Sequence, residues 1–266
     1  VQRILDANYE AADLKEVCDA VPNITDDQRE KLYTVLSRHA ELFDGTLGDF
    51  KGPAVDLNLR EGAEPKHLRP YPIPRVHYKT TMKEINRLIG LGVLEEDGDT
   101  EWAVPAFIIP KKQGTVRFLA DFRHLNTQIK RKPYPIPKIS DLMQQLEGFT
   151  WATAFDLNMG YYTIRLNPEA QRLCTIVLPW GKYKFKRLPM GISCAPDIFQ
   201  NRMSSLMKDL DYVRTYLDDV LILSTDSFED HLEKMATVLK RFADAGLRIN
   251  VGKSTLCASE IEYLGF

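Results

Sequence analysis

Two adjacent aspartates, Asp218 and Asp219, stand between the apolar runs 213–217 and 220–223. Each run has about the length of a buried strand, while Asp is depleted in strands and favoured in turns. The stretch therefore predicts a hairpin with both carboxylates at its tip. Such a tip presents oxygen ligands to hard divalent cations. An ordinary solvated turn has the same appearance, and short motifs match often by chance. A third carboxylate delivered from elsewhere would separate the two readings. Asp156 is the best candidate, because it closes the run 151–155 at a predicted strand end. Taken alone it reads as a cap; beside the pair it reads as chemistry.

The elements that must position these acids follow from periodicity. Pro196 opens a predicted helix with Ile198, Phe199, Met203, Leu206, Met207 and Leu210 on its inner face, directly before the Asp218-Asp219 hairpin. A second helix opens at Ser227, with Asp230 at the capping-box position, buries Leu232, Met235, Val238, Leu239 and Phe242, and stops at Gly246. The chain then closes with a strand-like run, 247–251. Strand, helix, hairpin, helix, strand predicts an α+β domain with an antiparallel sheet and helices on one face. Upstream, 104–109 and 116–121 flank the polar turn Lys111-Lys112-Gln113-Gly114-Thr115, a β-hairpin with lysines at its tip. Those lysines suit either a triphosphate or an edge strand kept soluble. A further hairpin joins 173–178 to 182–188, where Lys182, Lys184 and Lys186 share one face and Tyr183 and Phe185 the other. A basic face backed by aromatics fits a groove that tracks a nucleic-acid backbone.

Composition sets the bounds. With 266 residues, 44% hydrophobic and 27% charged, the chain has the make-up of a globular protein with a sizeable core. No apolar run approaches the length of a membrane span and no signal-peptide pattern opens the chain, so an intracellular, cytoplasmic protein without a membrane partner is expected. Cys18, Cys174, Cys194 and Cys257 are scattered, with no zinc spacing, which suits a reducing compartment. The net charge is −2, but it is unevenly spread: residues 1–50 carry eleven acids against five bases, and residues 107–138 eight bases against one acid. A basic segment on a neutral chain fits a polyanion groove. Residues 1–52 read as an N-terminal helical spacer, with a Thr25/Gln28 capping box before Leu32, Val35 and Leu36. The pentapeptide Pro-Tyr-Pro-Ile-Pro occurs at 70–74 and again at 133–137, and both copies read as rigid connectors. Tyr78, Met82, Ile85, Leu88 and Ile89 mark a helix between them, ended by Gly90 and Gly92.

Tyr216-Leu217-Asp218-Asp219, with Asp156 sixty-two residues earlier and Leu188-Pro189-Met190-Gly191 between, resembles the retroviral-type reverse transcriptases, most nearly those of gypsy-class long-terminal-repeat retrotransposons. Lys111-Lys112-Gln113-Gly114, Arg117 and Asp121-Phe122-Arg123-His124-Leu125-Asn126 extend the likeness over about residues 53–266. Five ordered motifs with compatible spacing favour chemistry over the plain turn. The resemblance implies a right-hand polymerase fingers and palm domain at 53–266. Its activity would be RNA-directed DNA synthesis on a primer 3′-hydroxyl by a two-metal mechanism, within a retrotransposon polyprotein. Asp156, Asp218 and Asp219 would be catalytic and, with the Leu157 carbonyl, would bind two Mg²⁺ ions, with Mn²⁺ as a substitute. Lys111, Lys112, Arg117, Tyr161, Met190, Gly191 and Lys253 would face the nucleotide, Tyr161 beneath its sugar. Asp121 and Arg123 would support the template, and Tyr263, Leu264 and Gly265 the primer end. Implied partners are an RNA or DNA template with primer, deoxynucleoside triphosphates, and the protease, RNase H and integrase of the polyprotein. Asn158 and Met159 depart from the Arg-Ser common in relatives, which bears on packing beside Asp156. The competing reading is a catalytically silent homologue that binds nucleic acid or a partner subunit. A nucleotidyl cyclase lacks its Gly-Gly-Asp-Glu-Phe signature here, and an aspartic protease its Asp-Thr-Gly or Asp-Ser-Gly.

Overall fold

A computed structural model describes residues 10–110, 116–144 and 148–263. In chain order the helices are α1 (Leu14–Asp19), α2 (Asp26–Ser37), α3 (Arg75–Gly90), α4 (Arg123–Gln128), α5 (Ile139–Gln144), α6 (Pro168–Leu173), α7 (Ala195–Leu206) and α8 (Phe228–Ala245). The strands are β1 (Leu94–Glu96), β2 (Val104–Pro110), β3 (Val116–Ala120), β4 (Trp151–Asp156), β5 (Thr175–Leu178), β6 (Gly181–Phe185), β7 (Val213–Tyr216), β8 (Asp219–Ser224) and β9 (Thr255–Ala258). They form two compact units. One comprises Asp49–Pro133 with Tyr161–Pro196; the other comprises the described residues of Asn8–Gly48, Tyr134–Gly160 and Asp197–Phe266. Among the described residues no helix is long and apolar enough to cross a membrane.

The second unit is built on an antiparallel sheet ordered β7-β8-β4-β9. Helix α8 lies on this sheet because its apolar positions recur at helical spacing and bury Leu232, Met235, Val238, Leu239 and Phe242. Phe242 meets Phe155 of β4 edge-on at 6.1 Å between ring centroids. Ser227 caps the helix start and Gly246, at φ +79°, ends it, both as expected. A buried polar node sews the helix to the strands. His231 Nε2 lies 2.8 Å from Thr153 Oγ1, His231 Nδ1 lies 2.8 Å from Ser224 Oγ, and Thr153 Oγ1 accepts the Cys257 N–H at 3.0 Å. The segment 1–52, expected as a spacer, contributes α1 and α2 to this same unit, with Leu32, Leu36 and Leu42 fully buried. Lys31 of α2 reaches Glu229 of α8 at 2.8 Å.

One expectation for this unit is revised. The run 247–251 is not a sheet strand; Ile249 makes an isolated bridge to Leu157, and the outer strand is β9. Its backbone groups are shared among several partners instead: Ile249 N donates to Leu42 O, and Asn250 N to Asp156 O. Helices α1 and α5 were not anticipated, since six residues carry too little periodicity to read.

The other unit holds a five-stranded sheet, β1-β6-β5-β2-β3, antiparallel except where β2 runs parallel to β5. Both expected hairpins, β2–β3 and β5–β6, are present. The lysine-bearing tip, Lys111 and Lys112 included, lies outside the described residues, as does the side chain of Arg117. The lysines on the basic face of β6 have partners close by. Lys182 Nζ donates to the carbonyls of Gly98 and Thr100, Lys184 pairs with Glu95 and Asp97, and Lys186 pairs with Glu95. Neighbouring β1 and its following turn supply acids that alternation within β6 could not reveal. These lysines are paired across to the neighbouring edge strand and the turn after it.

Burial depresses the His231 pKa to about 4, with nearby Lys234 acting the same way against a smaller opposing pull from Asp230. A folded-state pKa below the unfolded value makes this a contribution present above about pH 6.5 and lost as pH falls toward 4. Acid titration of stability should show the wild type losing about 3 kcal/mol more than His231→Gln across that window. Equal losses would remove His231 from the account.

Candidate active site

The expected constellation assembles within the second unit. Asp156 ends β4, Asp219 begins β8, and the two face each other as direct register partners across the antiparallel ladder. Asp218 occupies the two-residue turn between β7 and β8. Val220, Leu221 and Ile222 are buried on both faces of the strand, and the two carboxylates stand at its N-terminal end.

Three features hold the tip. Leu217 precedes the acids at φ +55°, a conformation that costs a side chain of this kind about 1–3 kcal/mol and persists only where neighbours enforce it. The enforcing group is Gln200 of α7, which is fully buried. Its Oε1 accepts the Leu217 N–H at 2.7 Å, and its Nε2 donates to Thr215 O, Thr215 Oγ1 and Ser204 Oγ at 3.1–3.2 Å. Gly160 is the second: a Cβ there would meet Asp218 Cβ at 3.3 Å and Phe199 Cζ at 3.2 Å. Third, Leu157 N donates to the Asp218 carbonyl at 3.1 Å, tying the turn to the end of β4.

Asp156 is anchored through its backbone. Its N–H donates to Ser254 Oγ at 3.1 Å, its carbonyl accepts from Asn250 N at 2.9 Å, and Ser254 Oγ donates to the Asn250 carbonyl at 2.9 Å. That turn carries Lys253, the cation whose charge bears on all three acids. Burial, opposed by Lys253 and reinforced by Asp219, raises the Asp156 pKa to about 6. Burial, with the charges of Asp219 and Asp156, raises Asp218 to about 7. Burial also raises Asp219, against Lys253. Like charges in a half-buried cluster disfavour joint ionisation, and this is the ordinary electrostatic condition of a cation site before its cation. The donors are hard carboxylate oxygens and so fit Mg²⁺ in kind and charge. Among the described residues no group of three or more His, Cys, Asp or Glu side chains is drawn together closely enough to hold a metal as it stands. The acids are neighbours in register rather than converged on a point.

Tyr263 is buried in the same unit against Ala152 and Leu221. Its hydroxyl has no hydrogen-bond partner among the described residues, and burial and the charge of Asp219 raise its pKa. Leu264 and Gly265 lie outside the described residues.

The remaining predicted residues belong to the other unit, and there the motif letters act as clamps. Asp121 takes a two-pronged bond from Arg123 (Nε at 2.8 Å, Nη2 at 2.6 Å) and a third from Tyr71 Oη at 2.9 Å. The Arg123 guanidinium, followed by Tyr71, holds the Asp121 pKa at about 2 despite burial. Asn126 grips the turn after Met190, donating to the Gly191 carbonyl and accepting from Ser193 N, both at 2.8 Å. Gly191 needs to be glycine there, with φ +95°. Met190 lines a small cleft with Phe118, Tyr162 and Phe185. Tyr161 is partly buried at the first position of its segment. Gln200, Gly160, Ser254 and Asn126 were not singled out from the sequence as positioning groups. Of these, Asn126 had its place in the Asp121–Asn126 motif, and Gln200 had a signal as a polar residue beside Phe199 on an otherwise apolar helix face.

Truncating Gln200 leaves the part-buried Leu217 N–H unmatched and frees the strained turn. Gln200→Ala should lose about 1–3 kcal/mol of stability, with amide exchange at Leu217 accelerating more than at Val220 in the same strand pair. Unchanged protection at Leu217 would show that the turn holds itself.

The family model described as reverse transcriptase (RNA-dependent DNA polymerase) matches residues 109–266. An uncharacterized protein of Caenorhabditis elegans is 31% identical over 229 residues, 85% of this chain and 18% of that protein. A Tf2-3 transposon polyprotein of Schizosaccharomyces pombe is 30% identical over 218 residues, covering 81% of this chain and 16% of the polyprotein. The chain thus spans less than one fifth of the curated relatives it matches. A foamy viral protease–reverse transcriptase solved with an RNA/DNA hybrid superposes with a TM-score of 0.88 at 22% identity, covering 96% of this chain and 34% of that one. A second foamy viral structure, bound to double-stranded DNA, gives 0.86 at 24% identity, covering 96% and 45%. The fold is that of the reverse transcriptase fingers and palm, and the chain belongs to the reverse transcriptase family.

Proposed function

We propose that this chain is the polymerase part of a retrotransposon polyprotein and performs RNA-directed DNA synthesis, with residues 53–266 as its polymerase domain. The observation that carries the reading is the register pairing of Asp156 with Asp219 beside the clamped Asp218. In the reaction the primer 3′-hydroxyl oxygen attacks the α-phosphorus of a deoxynucleoside triphosphate. A new P–O bond forms, the bond to the β-phosphate oxygen breaks, pyrophosphate leaves, and the hydroxyl proton passes to solvent. Asp156, Asp218 and Asp219, with the Leu157 carbonyl, would hold two Mg²⁺ ions, Mn²⁺ substituting. Bound there, such ions supply Lewis acidity to the hydroxyl and charge neutralisation to the pyrophosphate.

This chain's own residues supply the rest. Lys253 adds positive charge on the carboxylate side. By position in the family pattern, Lys111, Lys112, Arg117, Met190 and Gly191 bind the incoming nucleotide, and Tyr161 excludes a 2′-hydroxyl. The Asp121–Arg123–Tyr71 clamp stiffens the template side, leaving the exposed edge of Arg123 for phosphate. The template is RNA or DNA, the primer end meets the chain near Tyr263, and the polyprotein provides protease, RNase H and integrase. Four buried free cysteines agree with a reducing, intracellular setting.

Single-nucleotide addition to a primer on an RNA template, with Mg²⁺ and with EDTA, tests this directly. Asp218→Asn should abolish addition, by about 10³-fold or more, while the fold is retained. Full activity in that variant, or in EDTA, would contradict the assignment.

A further inference from the structure

The end of β4, where Asp156 stands, is laced to a segment far upstream in the chain. Asn158, two residues beyond Asp156, donates its side-chain amide to the Thr46 carbonyl at 3.3 Å, and its backbone N–H to the Arg248 carbonyl at 2.9 Å. Arg248 Nε in turn donates to Thr46 Oγ1 at 3.2 Å and to Asp44 Oδ1 at 3.3 Å. Asp44 Oδ1 also accepts from Thr46 N at 2.9 Å and Thr46 Oγ1 at 2.6 Å, closing the 44–46 turn on itself. One residue on, Ile249 N donates to the Leu42 carbonyl at 2.7 Å, and Asn250 N donates to the carbonyl of Asp156 itself at 2.9 Å. Three strips of chain, 42–46, 248–250 and 156–158, are thus joined rung by rung, and the last carries a carboxylate of the site.

The turn at the outer end of this lacing is specified by its sequence. Gly45 has φ +75°, and a Cβ there would lie 2.5 Å from the Glu10 carbonyl oxygen and 2.7 Å from the Glu10 nitrogen. Backbone meets backbone, so no flexible side chain can yield. Leu42 and Phe43 are buried at 0% and 2% exposure and anchor the segment from below. A connector merely passing by needs neither a glycine-only approach nor a run of side-chain and backbone hydrogen bonds.

We infer that residues 42–46 are a positioning element of the carboxylate site, setting the angle at which Asp156 leaves β4 through Asn158 and Arg248–Asn250. The inference rests on the polymerase reading for its consequence in catalysis, though not for its consequence in cation binding. It also gives Asn158 a role of its own. Acids that are not yet converged depend on their backbone for the approach of their oxygens, and displacements of about 1 Å at such a site cost about 10²-fold.

The experiment uses the whole chain and three variants. Gly45→Ala displaces the turn, Arg248→Ala cuts two rungs while sparing the backbone, and Lys15→Ala serves as control, its ammonium pairing with Asp19 on an exposed face. Circular dichroism and the thermal midpoint establish folding. Mn²⁺ alone is then titrated by electron paramagnetic resonance, and kcat and KM for primer-template are measured separately. Expected are a Kd for Mn²⁺ raised about tenfold and a kcat lowered about 10–100-fold in Gly45→Ala and Arg248→Ala, with KM for primer-template unchanged and Lys15→Ala like wild type. Folded variants with wild-type Mn²⁺ affinity and kcat would overturn the inference, as would a wild type that binds no Mn²⁺. Should Gly45→Ala fail to fold, Arg248→Ala decides alone. A wild type that binds Mn²⁺ but adds no nucleotide would remove the polymerase reading and leave the Mn²⁺ comparison to decide this one.

Discussion

Burial of three neighbouring carboxylates, Asp156, Asp218 and Asp219, is the constraint around which the second unit is arranged. Three carboxylates at the end of one sheet are held partly out of water, and burial and mutual charge raise their pKa values to about 6 for Asp156 and 7 for Asp218. Nothing in that arrangement favours folding. It persists because the surroundings overdetermine it. Gln200 pins the turn from one helix, Gly160 lets the chain pass within contact of Asp218, and the 250–254 turn holds both backbone groups of Asp156. Lys253 compensates only in part. Strain and charge stored at one spot, with stability recovered in the α8 core and the His231 node, is the usual pattern of a site built to receive an ion.

The unit bearing the other predicted residues works differently. Its polar letters are mostly committed to one another, Asp121 to Arg123 and Tyr71, and Asn126 to the turn at Gly191. The lysines of β6 are committed to Glu95, Asp97 and backbone carbonyls. A charge that already has a partner contributes less to a polyanion than its place in the sequence suggests. Within 107–138 one of the eight bases, Arg123, is committed to Asp121 in the same way.

Legibility followed the range of the signal. The β7–β8 hairpin, α8 with its Ser227 and Gly246 ends, and both hairpins of the other sheet were readable, because each is set by local signals, apolar runs around turn residues and helix caps. The pairing of Asp156 with Asp219 was reachable only through motif order, since no local rule joins strands more than sixty residues apart. What could not be read depended on partners brought in by the fold. The acids of β1 captured the β6 lysines, Leu42 and Asp156 divided the backbone of 249–250 that resembled a strand, and α2 with the 42–46 turn became part of the acidic site's unit. Six-residue helices such as α1 and α6 escaped because one and a half turns hold no period, although Asn167 before Pro168 was a capping signal in plain view.

The central claim is that the three acids form a cation site whose charge the fold alone leaves uncompensated. Because their folded pKa values lie above the unfolded value of about 3.9, the metal-free fold binds extra protons between about pH 4 and 7 and loses that contribution as pH rises through 6 and 7. The direct measurement is the thermal midpoint in EDTA and in saturating Mg²⁺, at about pH 5.5 and about pH 8, where the difference between the two media cancels every other titrating group. The account predicts that Mg²⁺ raises the midpoint by about 5 °C near pH 8 and far less near pH 5.5, where protons already neutralise the cluster. A midpoint that ignores Mg²⁺ at both values would contradict it.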